Sequence, residues 1–148
     1  MATVTVTMDG KHYGTHAEVL NRFFGWKGKL YLGAEFCVDR DYSVWFPIIT
    51  PPALANENNL VPNTSHMPNT SHNGWKNILN NSRTEIRQYW PEPSMAHQQL
   101  TDAKKRITFA KFIIEHKYWY EFIGVFEKDV SQSAMDHTFY KRIATQYS

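Results

Sequence analysis

The chain has one cysteine, no long apolar run, little net charge and none of the short signatures that gather a metal or cradle a phosphate. Each absence excludes something. With Cys37 alone, no disulfide can form within the chain, so a reducing compartment is the simplest home. No apolar stretch approaches the roughly 20 residues of a membrane helix. The opening MATVTVTMDGK has no basic segment ahead of an apolar one and does not read as a secretory signal. The expected location is the cytoplasm, that of the host cell if the chain is phage-encoded. A formal charge of +2 is too small for general attraction to DNA, so any nucleic-acid role needs local clustering of charge.

Catalytic and metal signatures are missing in the same way. His12 and His16 are four apart, but Gly14 and Thr15 fall between them and keep them off a shared helix face. His66 and His72 recur only because their segment is repeated. There is no HExxH and no cysteine pair. The glycines at 10, 14, 25 and 28 match no phosphate loop or dinucleotide fingerprint. Glu35, Asp39, Asp41, Glu121, Glu127 and Asp129 form no compact nuclease motif. Cys37 lies inside a predicted strand, where a buried structural thiol is expected. No catalytic residue, metal or cofactor is therefore expected.

What is present is a folded composition: 42% hydrophobic, 15% aromatic and 20% charged over 148 residues, enough for one domain spanning 1–148. Thr3–Met8 alternates β-branched residues and predicts a strand. Thr15 followed by Glu18 forms a capping-box pattern. Ala17, Leu20, Phe23 and Phe24 share a helical face, and Gly25 stops the helix. Hairpins are expected over Glu35–Asp39 with Tyr42–Pro47, and over Trp75–Asn80 with Arg83–Trp90. Between them, about 51–74, lies a long loop that holds a tandem repeat, PNTSHM then PNTSHN. Nine of the ten asparagines fall between Asn56 and Asn81. Such residues supply turns and local hydrogen bonds, not a core. A helical turn is expected within Ser94–Lys105, then three strands over Arg106–Ile113, Tyr118–Lys128 and Thr138–Gln146, the last with a helix as the alternative. One early helix among short strands makes an α+β domain with a strongly bent, mostly antiparallel sheet or small open barrel.

The last third carries the binding signal. From Lys104 to Arg142 there are eight cations against five acids, interleaved with aromatics. Stacking faces beside cations suit nucleobases and phosphates. Tyr118, Tyr120, Phe122, Gly124 and Phe126 are expected on one strand face, and Gly124 suggests a bulge. The candidate ligand-binding residues are Trp45, Trp75, Asn77, Arg106, Lys111, Tyr120 and Arg142. The rings would stack on a base, the Asn77 amide would read its edge, and the cations would meet phosphates, Arg106 and Arg142 with little role in stability if both are exposed.

In the order helix-to-Phe-Phe-Gly, VWFPII, NGWKN, RITFAK, YEFIGVFEKD and FYKRIAT, the chain resembles small modules found with bacterial restriction and phage-conflict proteins. Its strand–helix–strand order is similar to the PUA-like group of small bent barrels, which read modified bases or nucleotides. The resemblance covers about Thr15 to Thr145 and carries over no catalytic residue. It implies a non-catalytic binder of a nucleotide or nucleic-acid base. The first expectation is sequestration of a free signalling nucleotide, an anti-defence role. The low net charge favours that small ligand, since duplex affinity rests on phosphate neutralisation. The alternatives are a reader of modified bases in DNA and a protein-interaction or inhibitor module. A homo-oligomer stays open, and no membrane partner is expected.

Overall fold

The computed structural model describes residues 2–49, 76–89, 104–114, 116–133 and 137–148. Along the chain these form β1 (Val6–Thr7), α1 (His16–Phe24), β2 (Glu35–Cys37), β3 (Tyr42–Trp45), β4 (Lys76–Leu79) and β5 (Glu85–Tyr89). Then come β6 (Lys105–Ile114), β7 (Lys117–Lys128), a 3-10 turn at Val130–Gln132, β8 (His137–Ala144) and β9 (Gln146–Tyr147). The long Asn-rich loop with its PNTSH repeat, Trp75, and the helical turn expected within Ser94–Lys105 up to residue 103 lie outside the described residues.

Helix α1 forms as its sequence dictates. The Thr15 Oγ1 accepts the Glu18 N–H at 3.0 Å, and the Glu18 carboxylate returns to the Gly14 N–H at 3.0 Å. Gly25 ends the helix at φ 71°, a left-handed conformation that glycine adopts without a Cβ clash. Ala17, Val19, Leu20, Phe23 and Phe24 are buried. They cover one face of the main sheet.

That sheet has seven strands in the order β2-β3-β6-β7-β8-β5-β4. All pairs are antiparallel except β3 with β6. β1 is shorter than expected and pairs with β9 in a separate two-stranded ribbon. The large sheet is open in its strand order but strongly bent. The chain beyond β3 bridges both sides, Ile48 pairing with Lys111 of β6 and Ile49 with Asn77 of β4. This is the bent, mostly antiparallel α+β architecture expected.

The bend gives the sheet two buried faces. The helix-side face packs Val44, Phe46, Ile107, Phe109, Tyr120, Phe122 and Val125 under Leu20 and Phe23. The inner face gathers Trp45, Ile49, Ile86, Ala110, Ile123, Phe126 and Tyr140. A register break in β6–β7 places Phe109 opposite Phe122 but Thr108 opposite Gly124, leaving Ile123 as an extra residue. The expected face of β7 is corrected here. Tyr120 and Phe122 share the helix side, but the bulge sends Phe126 to the inner face. Cys37 also departs from expectation: it is exposed on β2, near the edge of the sheet.

Gly124 sits at φ 127°. A Cβ there would lie 2.4 Å from Arg142 Cδ and 2.9 Å from the Ala144 carbonyl oxygen. Gly124→Ala should therefore cost about 1–3 kcal/mol in urea unfolding. Gly10→Ala, at φ 76° with nothing within 4 Å, should cost less. Equal losses would remove the bulge's special status.

Candidate functional site

The inner face has an apolar part and a polar part. In the apolar part the Arg106 guanidinium lies 4.8 Å from the Trp45 ring centroid and 4.9 Å from that of Tyr140. Its Nη1 donates to the Tyr140 hydroxyl at 2.8 Å, and its Nε lies 3.2 Å from Glu35 Oε2. Ser43 donates to the same carboxylate oxygen. Arg106 is 6% exposed and Trp45 3%. The arginine is thus a buried strut with a counter-ion and two ring faces, not an exposed cation offered to phosphate. Burying a guanidinium is tolerable only with such pairing.

Beside this wall, cross-strand pairing lines up Asn77, Gln88 and Thr138 in one row over β4, β5 and β8. The next row on the same face is Leu79, Ile86 and Tyr140. Residues directly opposite in an antiparallel ladder share a face. Asn77, Gln88 and Thr138 are all buried. The Asn77 Nδ2 donates to the Ile48 carbonyl at 3.0 Å, which pins the bridge between β4 and the chain beyond β3. Its Oδ1 is buried with no hydrogen-bond partner among the described residues. An unmet buried acceptor costs roughly 1–3 kcal/mol. At the edge of these strands Tyr89 stacks near His137, with ring centroids 4.9 Å apart. Lys76 lies on the opposite face from Asn77. It too is buried and without a hydrogen-bond partner among the described residues, and burial pulls its pKa down.

The expected site residues therefore divide. Trp45 and Arg106 meet on the inner face, and Asn77 lies on that face in the polar row. Lys111 and Tyr120 pair on the helix side instead: the Lys111 ammonium sits 4.4 Å from the Tyr118 centroid and 5.7 Å from that of Tyr120. Tyr120 belongs to the core, and burial pushes its hydroxyl up to about 12. Arg142 is half-buried, and its Nη1 donates to the Arg83 carbonyl at 3.1 Å. Gln88, Thr138 and Tyr140 were missed. Their signal was alternation: a polar residue at the positions of β5 and β8 that share a face with Ile86.

Of the carboxylates considered for a nuclease, Glu121 and Asp129 are engaged separately. Glu121 pairs with Arg83 at 2.7 Å and accepts from Trp119 Nε1 at 3.3 Å. Asp129 caps the 3-10 turn through Ser131, which holds its pKa low. Among the described residues no three His, Cys, Asp or Glu side chains converge to hold a metal. No helix among them is long and apolar enough to cross a membrane.

The family profile of the SRA domain, the SET and RING associated domain, matches residues 5–148. The chain belongs to this family, a PUA-like group whose members bind nucleic-acid bases, modified cytosine in DNA among them. A solved structure, "The 5-Hydroxymethylcytosine-Specific Restriction Enzyme AbaSI", superposes with a TM-score of 0.70 at 19% sequence identity. The likeness covers 97% of this chain and 42% of that one, so the chain spans under half of that enzyme's length. A comparison with curated protein sequences gave no match. The expected link to restriction-associated PUA-like modules holds. Of the functional expectations, the base-reading alternative gains support from the family, and the sequestration of a signalling nucleotide gains none.

The strut generates a direct test. Arg106→Ala leaves Glu35 without its cation and two rings without their cover. It should lower stability by on the order of 3 kcal/mol in urea unfolding. A variant as stable as the parent but weakened for DNA would return Arg106 to a phosphate-binding role.

Proposed function

We propose that this domain reads a modified cytosine in duplex DNA by accepting the extruded base against the inner face of its bent sheet, without chemical turnover. The observation that carries the proposal is the buried polar row Asn77–Gln88–Thr138, with the Asn77 Oδ1 unmatched among the described residues, in a member of the SRA family. A base taken out of the stack needs a ring face and polar groups for its Watson–Crick edge. The row supplies an acceptor from Asn77 and an amide from Gln88 side by side. Trp75, one residue ahead of β4, is the proposed stacking ring. Trp45, Tyr140 and Arg106 form the wall beneath and hold the row in place rather than touching phosphate.

Duplex oligonucleotides carrying cytosine, 5-methylcytosine or 5-hydroxymethylcytosine at one site should bind with unequal affinity, a modified form being preferred. Gln88→Leu and Trp75→Ala should remove about 1–3 kcal/mol of that preference. The oligonucleotides should be recovered intact. Equal affinity for all three duplexes, alongside tight binding of a free cyclic or linear nucleotide, would restore the sequestration reading.

A further inference from the structure

Lys111 stands out among the described cations. Its backbone is clamped on both sides: its N–H donates to the Pro47 carbonyl at 2.8 Å, its carbonyl accepts from Ile49 N–H at 2.9 Å, and it pairs across β7 with Tyr120. The ammonium rests on the Tyr118 and Tyr120 rings, and no carboxylate or other acceptor meets it among the described residues. Tyr118 is 51% exposed, so this seat reaches the surface. The His16 ring lies 5.0 Å from Tyr120 and 4.0 Å from Phe46, and its Nδ1 is buried with no hydrogen-bond partner among the described residues. Burial disfavours the charged form of both groups; at His16 a backbone hydrogen bond with Tyr31 opposes this and Lys111 adds to it. A cation seated on two rings, with no acceptor among the described residues, is a place where an external anion is favoured.

The Lys111 and Asn77 backbones are neighbours, but their side chains leave on opposite faces, Lys111 on the helix side and Asn77 on the inner side. Ile48 pairs with Lys111 and Ile49 with Asn77, so the two residues flank one extended segment. Two strand spacings put them about 10 Å apart.

We propose that Lys111, seated on Tyr118 and Tyr120 beside His16, contacts one phosphodiester of the duplex that the domain binds. This rests on the base-reading proposal and adds a phosphate point to it. The competing account is a lysine that lies over tyrosine rings merely to cover them. Salt dependence separates the two, because each phosphate contact contributes about 0.9 to the slope of log affinity against log salt.

Affinities for modified and unmodified duplexes are measured over a salt series for the parent, Lys111→Met and Lys111→Arg. Lys111→Met should lower the slope by about 0.9 on both duplexes, leave the ratio between them unchanged, and be restored by Lys111→Arg. A slope equal to the parent's overturns the phosphate contact even where modified-base preference persists. A lowered slope with no modified-base preference keeps the contact and defeats the base-reading proposal. Absence of duplex binding by the parent defeats both. Should Lys111→Met fail to fold, amine acylation of the unaltered chain gives the same answer. Duplex should reduce Lys111 labelling several-fold, and unchanged labelling overturns the contact.

Discussion

The structure depends on burying both faces of β6 and β7. A sheet covered by one helix has a second face that must leave water, and this chain has only one helix among its described residues to offer. The segment beyond β3 crosses between β6 and β4 and helps close the remaining face, Ile48 pairing with Lys111 and Ile49 with Asn77. The Ile123–Gly124 bulge contributes, since an extra residue sharpens local twist and moves Phe126 to the inner side. The Asn77 amide then fastens the chain beyond β3 to β4. Polar groups placed on the inner face are thereby removed from water.

Once the inner face is sheltered, its polar groups divide by whether the protein itself satisfies them. Arg106, Glu35, Ser43 and Tyr140 complete one another and form a rigid support. The Asn77 Oδ1 does not find a partner among the described residues. That difference separates scaffold from candidate binding surface more sharply than exposure does, because the residues with the strongest look of a ligand site, an arginine between two aromatic rings, are the ones already occupied. It also shifts where affinity must originate. With a formal charge of +2 over the chain, long-range attraction is weak, and selectivity must come from groups that meet the ligand at close range.

Local sequence rules revealed helix α1, both early hairpins and the three long strands, because capping residues, turn dipeptides and period-two alternation are encoded within a few positions. The PUA-like order was legible for the same reason. The site was legible only in part. Asn77 emerged from its Asn-Gly-Trp-Lys-Asn setting, but Arg106 read as an exposed cation because nothing local to Arg106-Ile107-Thr108 announces Glu35, 71 positions earlier, or Tyr140, 34 later. The parity of Phe126 was hidden by a bulge whose glycine was visible but whose extra residue was not. Cys37 looked buried because its strand was recognised but its place near the sheet edge was not. Gln88 and Thr138 acquire meaning only once the pairing of β4, β5 and β8 is known.

The central claim is that a base leaves the duplex to meet the inner face. A duplex carrying one modified cytosine next to 2-aminopurine reports this directly, because the fluorescence of 2-aminopurine rises when its stacking neighbour departs. Saturating protein should raise the signal on the modified duplex, and Gln88→Leu should reduce the rise. Tight binding with unchanged fluorescence would mean that the base stays stacked, and would contradict the account.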